Sequence, residues 1–144
     1  MDKDNLPKLV REVLVELKSI DDFILTGSYA LAIHGLLDRK PKDLDIVSSS
    51  PLLTRSLNQI AINITPAFNK IEQQRFIYPK KGNEIYVDLF NSPKIPFIEI
   101  WVPKVGNLKV AKAEYIYLCK LKQNPKKNKT IKDLIDYFLI LNNR

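Results

Sequence analysis

The sequence contains one cysteine in 144 residues and no apolar run long enough to cross a bilayer. A lone thiol excludes an intrachain disulfide and lacks partners for a thiolate metal site, so Cys119 is interpreted as a small buried residue on a helix. Residues 1–4 carry charges of both signs and lead into no stretch typical of a signal peptide. These absences favour a cytoplasmic protein with no membrane partner.

Acidic residues are the minority among the charged side chains, with 16 against 23 lysines and arginines and a net charge of +7. This excess favours an anionic partner such as nucleic acid, nucleotide phosphates or an acidic protein. Much of it is local, in the lysines Lys120, Lys122, Lys126, Lys127, Lys129 and Lys132. Because a solvated lysine face without a ligand is an equal alternative, charge alone does not identify the partner.

The length is that of one ordinary domain, and the composition, 45% hydrophobic and 27% charged, is normal for a globular protein. We predict a single domain over residues 1–144, with its core at about 20–102 and C-terminal helices at about 108–142. Periodicity predicts helices at residues 6–17, 28–33, 51–61, 110–122 and from 130, and strands at 23–26, 43–47, 74–78, 84–90 and 97–102. The predicted fold class is α/β (α+β), a mixed sheet flanked by helices with a short helical tail.

Capping residues mark the predicted helix starts. Ser28 and Ser50 are expected to cap the second and third helices, and Pro51 suits the first position of the third. Thr130 and Asp133 form a capping box for the last helix, which assigns Asp133 a capping role rather than a catalytic one.

Two aspartates on a predicted strand are the first candidates for chemistry. Asp43 and Asp45 point to the same side of the strand, about 6.5–7 Å apart, while Leu44 and Ile46 point into the core. Adjacent carboxylates repel each other unless a cation lies between them, and Mg²⁺ prefers such oxygen ligands. A solvated loop edge is the alternative interpretation, because the pattern is common on surfaces.

Asp88 lies among strong strand formers, where an unpaired carboxylate is costly. If its strand lies beside the strand of Asp43 and Asp45, the three carboxylates converge and can hold two Mg²⁺ ions about 3.5–4 Å apart. The alternative is an exposed aspartate on the wet face of an edge strand.

Gly27 and Ser28 stand where a predicted buried strand turns into a helix. A glycine there lets the backbone approach a ligand closely, and the helix start suits phosphate. The pair lacks the Gly-Lys-Ser/Thr run of a Walker loop, so an ordinary strand-to-helix turn is the alternative.

These segments together resemble the nucleotidyltransferase superfamily typified by DNA polymerase beta. Its signature is a strand ending in Gly-Ser, a helix, a strand with two alternating aspartates and a third acid on a later strand. Here these elements are Thr26-Gly27-Ser28, Asp43-Leu44-Asp45 and Val87-Asp88-Leu89.

The spacing between the Gly-Ser pair and the two aspartates is more similar to the abortive-infection type IV toxin branch than to the minimal enzymes that pair with toxins. Residues 116–120 and 132–136 match that branch's C-terminal helical motif, and Arg39 lies before the aspartates. The chain departs from the pattern at Thr26, where the usual glycine is missing, and in having lysines where the helical motif has arginines.

The resemblance implies a Mg²⁺-dependent nucleotidyltransferase that moves a nucleoside monophosphate from an NTP to an acceptor hydroxyl and releases pyrophosphate. The acceptor would be RNA, including the tRNA 3′ end, or a protein. Asp43 and Asp45 would bind two metal ions, Asp88 would complete one of them and could serve as base, and Gly27 and Ser28 would hold the β- and γ-phosphates.

Lysines near these motifs are further candidates. Lys120 would reach the triphosphate from an inward-facing helix stripe or extend to solvent. Lys42 and Arg39 would neutralise phosphate charge or merely offset the aspartates, and His34 is interpreted as a packed histidine rather than a base.

Two alternative functions remain open. The first is a catalytically inactive nucleotidyltransferase fold that serves as a binding or structural module, which the departure at Thr26 and the altered helical motif favour. The second is an antitoxin that nucleotidylates a partner toxin.

Overall fold

The structure is a computed structural model that describes residues 1–37, 39–66, 73–80 and 82–122. The helices in this part of the chain are α1 (Lys8–Ile20), α2 (Gly27–Ile33), α3 (Pro51–Ile60) and α4 (Ala113–Lys122). The strands are β1 (Ile24–Thr26), β2 (Asp43–Val47), β3 (Ile62–Asn63), β4 (Gln73–Lys80), β5 (Asn83–Phe90), β6 (Phe97–Val102) and β7 (Gly106–Ala111).

All seven strands join one mixed sheet in the order β3-β4-β5-β2-β1-β7-β6. Strand β2 runs parallel to β5 and antiparallel to β1, and β1 runs parallel to β7. The remaining neighbours, β3–β4, β4–β5 and β6–β7, are antiparallel. The predicted fold class, a mixed sheet flanked by helices, is therefore confirmed, and β2 lies at the centre of the sheet.

One face of the sheet carries the core because the side chains of β2 alternate between its two sides. Leu44 and Ile46 are fully buried on this face, beside Phe76 of β4. Tyr78 lies on the same face as Phe76 and donates a hydrogen bond to Glu16 of α1. Helix α1 therefore covers this face. Asp45, which lies between Leu44 and Ile46 in the strand, points to the opposite side.

The first and third helices form as their sequences predict. The apolar stripe of α1, made of Val10, Val13, Leu14 and Leu17, is buried. Helix α3 begins with Pro51 at its first position, and the Ser50 hydroxyl accepts a hydrogen bond from the Leu53 amide at 3.3 Å.

The predicted cap of α2 is wrong. The residue that caps this helix is Thr26, whose backbone is extended and whose side chain makes no capping hydrogen bond. Ser28 lies inside the helix because the helix begins at Gly27, which sets its cap two residues earlier than the sequence pattern suggests.

The predicted start of the fourth helix is also wrong. Residues 106–111 form β7, and the helix begins only at Ala113. Leu108 and Val110 are buried on either side of the partly exposed Lys109, and Val110 pairs with Leu25 of β1. Tertiary pairing therefore overrides an apolar run that would also suit a helix.

The predicted tail lies mostly outside the described residues. This applies to the helix from residue 130, to Thr130 and Asp133, to the motif at 132–136 and to the lysines from Lys126 onward. The single-domain boundaries stay a prediction.

None of the helices in the described ranges combines the length and the apolar character that a bilayer crossing needs.

We expect Leu44→Ala to lower the free energy of unfolding by about 2–5 kcal/mol, because the truncation leaves a cavity under the central strand. Urea denaturation followed by circular dichroism measures this loss. The matched control is Leu52→Ala on α3, where the side chain is 48% exposed, and it should change the value by less than about 0.5 kcal/mol. Equal losses at the two positions would contradict the assignment of Leu44 to the core.

Candidate active site

The three aspartates singled out from the sequence meet on one face of the sheet. Strands β2 and β5 pair in parallel with Asp45 opposite Asp88 and Asp43 opposite Tyr86. Paired residues on neighbouring strands point to the same side, and so do residues two apart on one strand. Asp43, Asp45 and Asp88 therefore share the face opposite the core residues Leu44 and Ile46.

Asp45 and Asp88 form the electrostatic centre of the site. Burial raises the pKa of Asp45 well above its usual value, and the charges of Asp88 and Asp43 raise it further. Burial also raises the pKa of Asp88, against the opposing effect of Arg75. The interaction with Asp88 adds to the raised pKa of Asp45, whereas the same interaction opposes the rise in the pKa of Asp88.

Arg75 is a member of the site that sequence reasoning missed. It lies on β4 directly opposite Asp88. Its Nη2 atom is 3.0 Å from Asp43 Oδ2, and its Nε atom is 3.6 Å from Asp88 Oδ1. The guanidinium also stacks on Tyr86, 4.5 Å from the ring centroid. Arg75 thus bridges carboxylates from two strands.

The turn between β1 and α2 lies against Asp45, because Thr26 pairs with Asp45 in the antiparallel ladder. Gly27 has φ +70°, and a Cβ atom added there would lie 2.2 Å from Asp45 Oδ2. Any other residue would therefore suffer both backbone strain and a clash with the carboxylate. The glycine therefore lets the turn lie directly against the Asp45 carboxylate.

Ser28 and Arg39 extend this turn. The Arg39 Nη2 group donates a hydrogen bond to the Ser28 hydroxyl at 3.3 Å. The link places a guanidinium beside the start of α2, so this side of Asp45 combines a side-chain hydroxyl with a cation.

The two predicted lysines occupy different positions. Lys120 acts on Asp45 directly, since its charge lowers the pKa of that carboxyl group. It shares α4 with the buried Ala113 and Ile116, which dock the helix on the domain. Lys42 is exposed and lines the cleft beside Asp43.

His34 Nε2 lies 2.8 Å from the Ala111 carbonyl oxygen. The histidine thus contacts the backbone of β7, in agreement with its interpretation as a packed residue.

A cleft of about 1170 Å³ opens beside Asp43, the one of the three aspartates that lines it. Its lining includes Asp43, Arg75, Tyr29 and Tyr86, together with the lysines Lys8, Lys40 and Lys42. The cleft therefore combines space for a ligand with two aromatic rings and an excess of cations. It lies next to the acidic face, by which we mean the face of the sheet that carries Asp43, Asp45 and Asp88.

The donor chemistry of the acidic face fits Mg²⁺, since every candidate ligand is a carboxylate oxygen. Asp88 Oδ1 is buried and makes no hydrogen bond, so it has an unused lone pair. Among the described residues, however, no three His, Cys, Asp or Glu side chains already have the spacing of a metal site. Arg75 lies between Asp43 and Asp88, and a metal ion there requires its guanidinium to move.

Comparison with known proteins supports the fold. No protein-family profile matches the chain, and neither does any curated protein sequence. A crystal structure similar to it is that of a protein from Thermotoga maritima provisionally assigned as a nucleotidyltransferase, with a TM-score of 0.59 and 16% identity. The similarity covers 95% of this chain and 92% of that chain. At this identity the likeness shows a shared, nucleotidyltransferase-like fold and does not extend to the abortive-infection branch.

We expect Gly27→Ala to lower the free energy of unfolding by at least about 1 kcal/mol more than Gly35→Ala. Both glycines have positive φ, but an added Cβ at Gly35 meets nothing within 4 Å. The difference therefore isolates the clash with Asp45. Urea denaturation of the two variants measures it, and similar losses would contradict the close approach of Gly27 to Asp45.

We expect the metal-free protein to lose stability as the pH rises from the usual aspartate pKa of about 4 toward pH 8. The raised pKa values of Asp45 and Asp88 mean that the folded state holds protons that the unfolded state releases. This stabilisation is complete below the unfolded pKa and disappears as the pH passes the folded values.

The measurement is the thermal midpoint in EDTA across this pH range. Asp45→Asn removes one of the two acids, so its midpoint should depend less on pH and should exceed that of the wild type at pH 8 by about 2–6 °C. Parallel pH profiles for the two proteins would contradict a raised pKa at Asp45.

Proposed function

We propose that the protein is a Mg²⁺-dependent nucleotidyltransferase that moves a nucleoside monophosphate from an NTP to an acceptor hydroxyl. The observation that carries this proposal is the register of β2 and β5, which sets Asp45 beside Asp88 and against Gly27. The nucleotidyltransferase-like fold of the chain agrees with it. A fold alone does not define an activity, so the proposal rests on these residues.

In the proposed reaction the acceptor oxygen attacks the α-phosphorus of the NTP. The bond between the α-phosphorus and the oxygen that leads to the β-phosphate breaks, and pyrophosphate leaves. Asp88 is the proposed acceptor of the hydroxyl proton, because it is buried within the acidic face and has an oxygen without a hydrogen bond.

Asp43, Asp45 and Asp88 would hold the divalent cations, which supply neutralisation of phosphate charge when bound. Gly27, which lets the turn lie against Asp45, would bring the backbone close to the triphosphate, and Ser28 with Arg39 would donate hydrogen bonds to its β- and γ-phosphates. Lys120, whose charge acts on Asp45, would contact the same phosphates. Lys42 would bind them from the rim of the cleft.

The acceptor that we propose is RNA, including the tRNA 3′ end. The cleft beside Asp43 is lined by Lys8, Lys40 and Lys42, which suit a polyanion, and by the partly exposed Tyr86, on which a base can stack. A hydroxyl of a partner protein is the other acceptor that the assay below distinguishes.

We expect the wild type to transfer label from an α-³²P-labelled NTP to RNA in the presence of Mg²⁺. Asp45→Asn should reduce this transfer by at least about 10³-fold, because it removes a charge on which phosphate neutralisation depends. Gel electrophoresis after separate ribonuclease and protease digestion measures the transfer and shows whether the labelled acceptor is RNA or protein.

The control variant is Asp22→Asn, which changes an aspartate outside the site whose side chain is 81% exposed; it should transfer label at the wild-type rate. Unchanged transfer by Asp45→Asn would refute the assigned site. Calorimetric binding of the Mg-NTP complex without transfer to either acceptor would instead favour a catalytically inactive binding module.

A further inference from the structure

Arg75 holds the position that a metal ion would need. Its guanidinium contacts Asp43 at 3.0 Å and Asp88 at 3.6 Å, and these carboxylates come from the central strand and its neighbour. Neutralising two adjacent acids is the task of a divalent cation in such a site. In this structure, the Arg75 guanidinium neutralises part of the charge of these two acids.

The contact with Asp88 is loose. At 3.6 Å it is an ion pair without a hydrogen bond, and both Arg75 Nε and Asp88 Oδ1 are buried without a hydrogen-bond partner. Arginine binds a carboxylate best through two parallel hydrogen bonds, and this geometry is absent here. The bridge is therefore strong toward Asp43 and incomplete toward Asp88.

The Arg75 side chain also has space into which it can move away from the carboxylates. Its side chain is 35% exposed and lines the cleft, so it can turn toward solvent without crossing the core. The guanidinium already stacks on the Tyr86 ring. This ring lines the same cleft, so the cation can keep a contact with it as the side chain turns toward solvent.

We propose that Arg75 is an internal cation that competes with divalent metal for Asp43 and Asp88, so that metal binds only when the guanidinium leaves them. This inference rests on the metal site of the proposed function. It adds a role for Arg75 in the metal-free and in the metal-bound protein. Without metal, the guanidinium limits repulsion among the carboxylates. With metal bound, it would face the cleft in which the substrate would bind.

The competition predicts a specific direction of change. Removing the positive charge of Arg75 should tighten binding of Mn²⁺, used here as the probe ion, by about tenfold or more, equivalent to about 1.4 kcal/mol. Arg75→Gln removes the charge, whereas Arg75→Lys keeps it on a point-like ammonium that cannot span two carboxylates as the guanidinium does. We expect the affinity for Mn²⁺ to rise from the wild type through Arg75→Lys to Arg75→Gln.

Electron paramagnetic resonance of free Mn²⁺, titrated with each full-length protein at pH 8, measures these dissociation constants. Arg55→Gln is the matched control, because it makes the same change at an exposed position on α3 away from the carboxylates. It should bind Mn²⁺ like the wild type. Thermal midpoints in EDTA provide a second readout: Arg75→Gln should be less stable than Arg55→Gln and should gain more from added Mn²⁺.

Two results would overturn the inference, and they are distinguishable. If the wild type binds Mn²⁺ through Asp45, as judged by loss of binding in Asp45→Asn, but Arg75→Gln binds no tighter, Arg75 does not compete and only positions the carboxylates. If neither the wild type nor Arg75→Gln binds Mn²⁺, the metal site of the proposed function fails as well.

Discussion

The structure depends on one unfavourable arrangement, the placement of two carboxyl groups side by side at the centre of a sheet. Asp45 and Asp88 are paired across β2 and β5, and burial leaves little water to screen them. Such a pair is tolerated only when its charge is reduced. Two cations contribute to this here: the guanidinium of Arg75, which acts on Asp88, and the positive charge of Lys120, which acts on Asp45. The cations come from β4 and α4, so elements distant in sequence are tied to the same two side chains.

The same pair explains the local shape of the chain around it. Because β1 is antiparallel to β2, the end of β1 arrives next to Asp45, and the turn into α2 must pass the carboxylate at close range. Only a glycine with positive φ fits there, as Gly27 does. The turn then sets Ser28 inside the helix, where its hydroxyl meets Arg39 instead of capping the helix. The pairing of β1 with β2 therefore explains why Asp45, Gly27 and Ser28 lie close together.

Local features of the sequence were sufficient for part of this picture. The alternation around Asp43 and Asp45 depends only on the strand that carries them, and the serine-proline start of α3 depends only on adjacent residues. The position of Arg75 in the site depends on two separate strand pairings, β4 with β5 and β5 with β2. The register of the β4–β5 hairpin, which pairs Lys80 with Asn83, places Arg75 opposite Asp88 and could have been counted from the turn.

Its contact with Asp43 additionally requires β5 to lie parallel to β2, and strand neighbours far apart in sequence leave no local pattern. Strand β7 was missed for the same reason. The likeness to a protein of 16% identity shows how little of a sequence such a fold requires. Two buried acids at positions 45 and 88, beside a glycine of constrained conformation, oppose folding because burial disfavours their charged forms. Features that oppose folding and converge on one point are typical of sites retained for chemistry, and this convergence, more than the shared fold, supports a catalytic role.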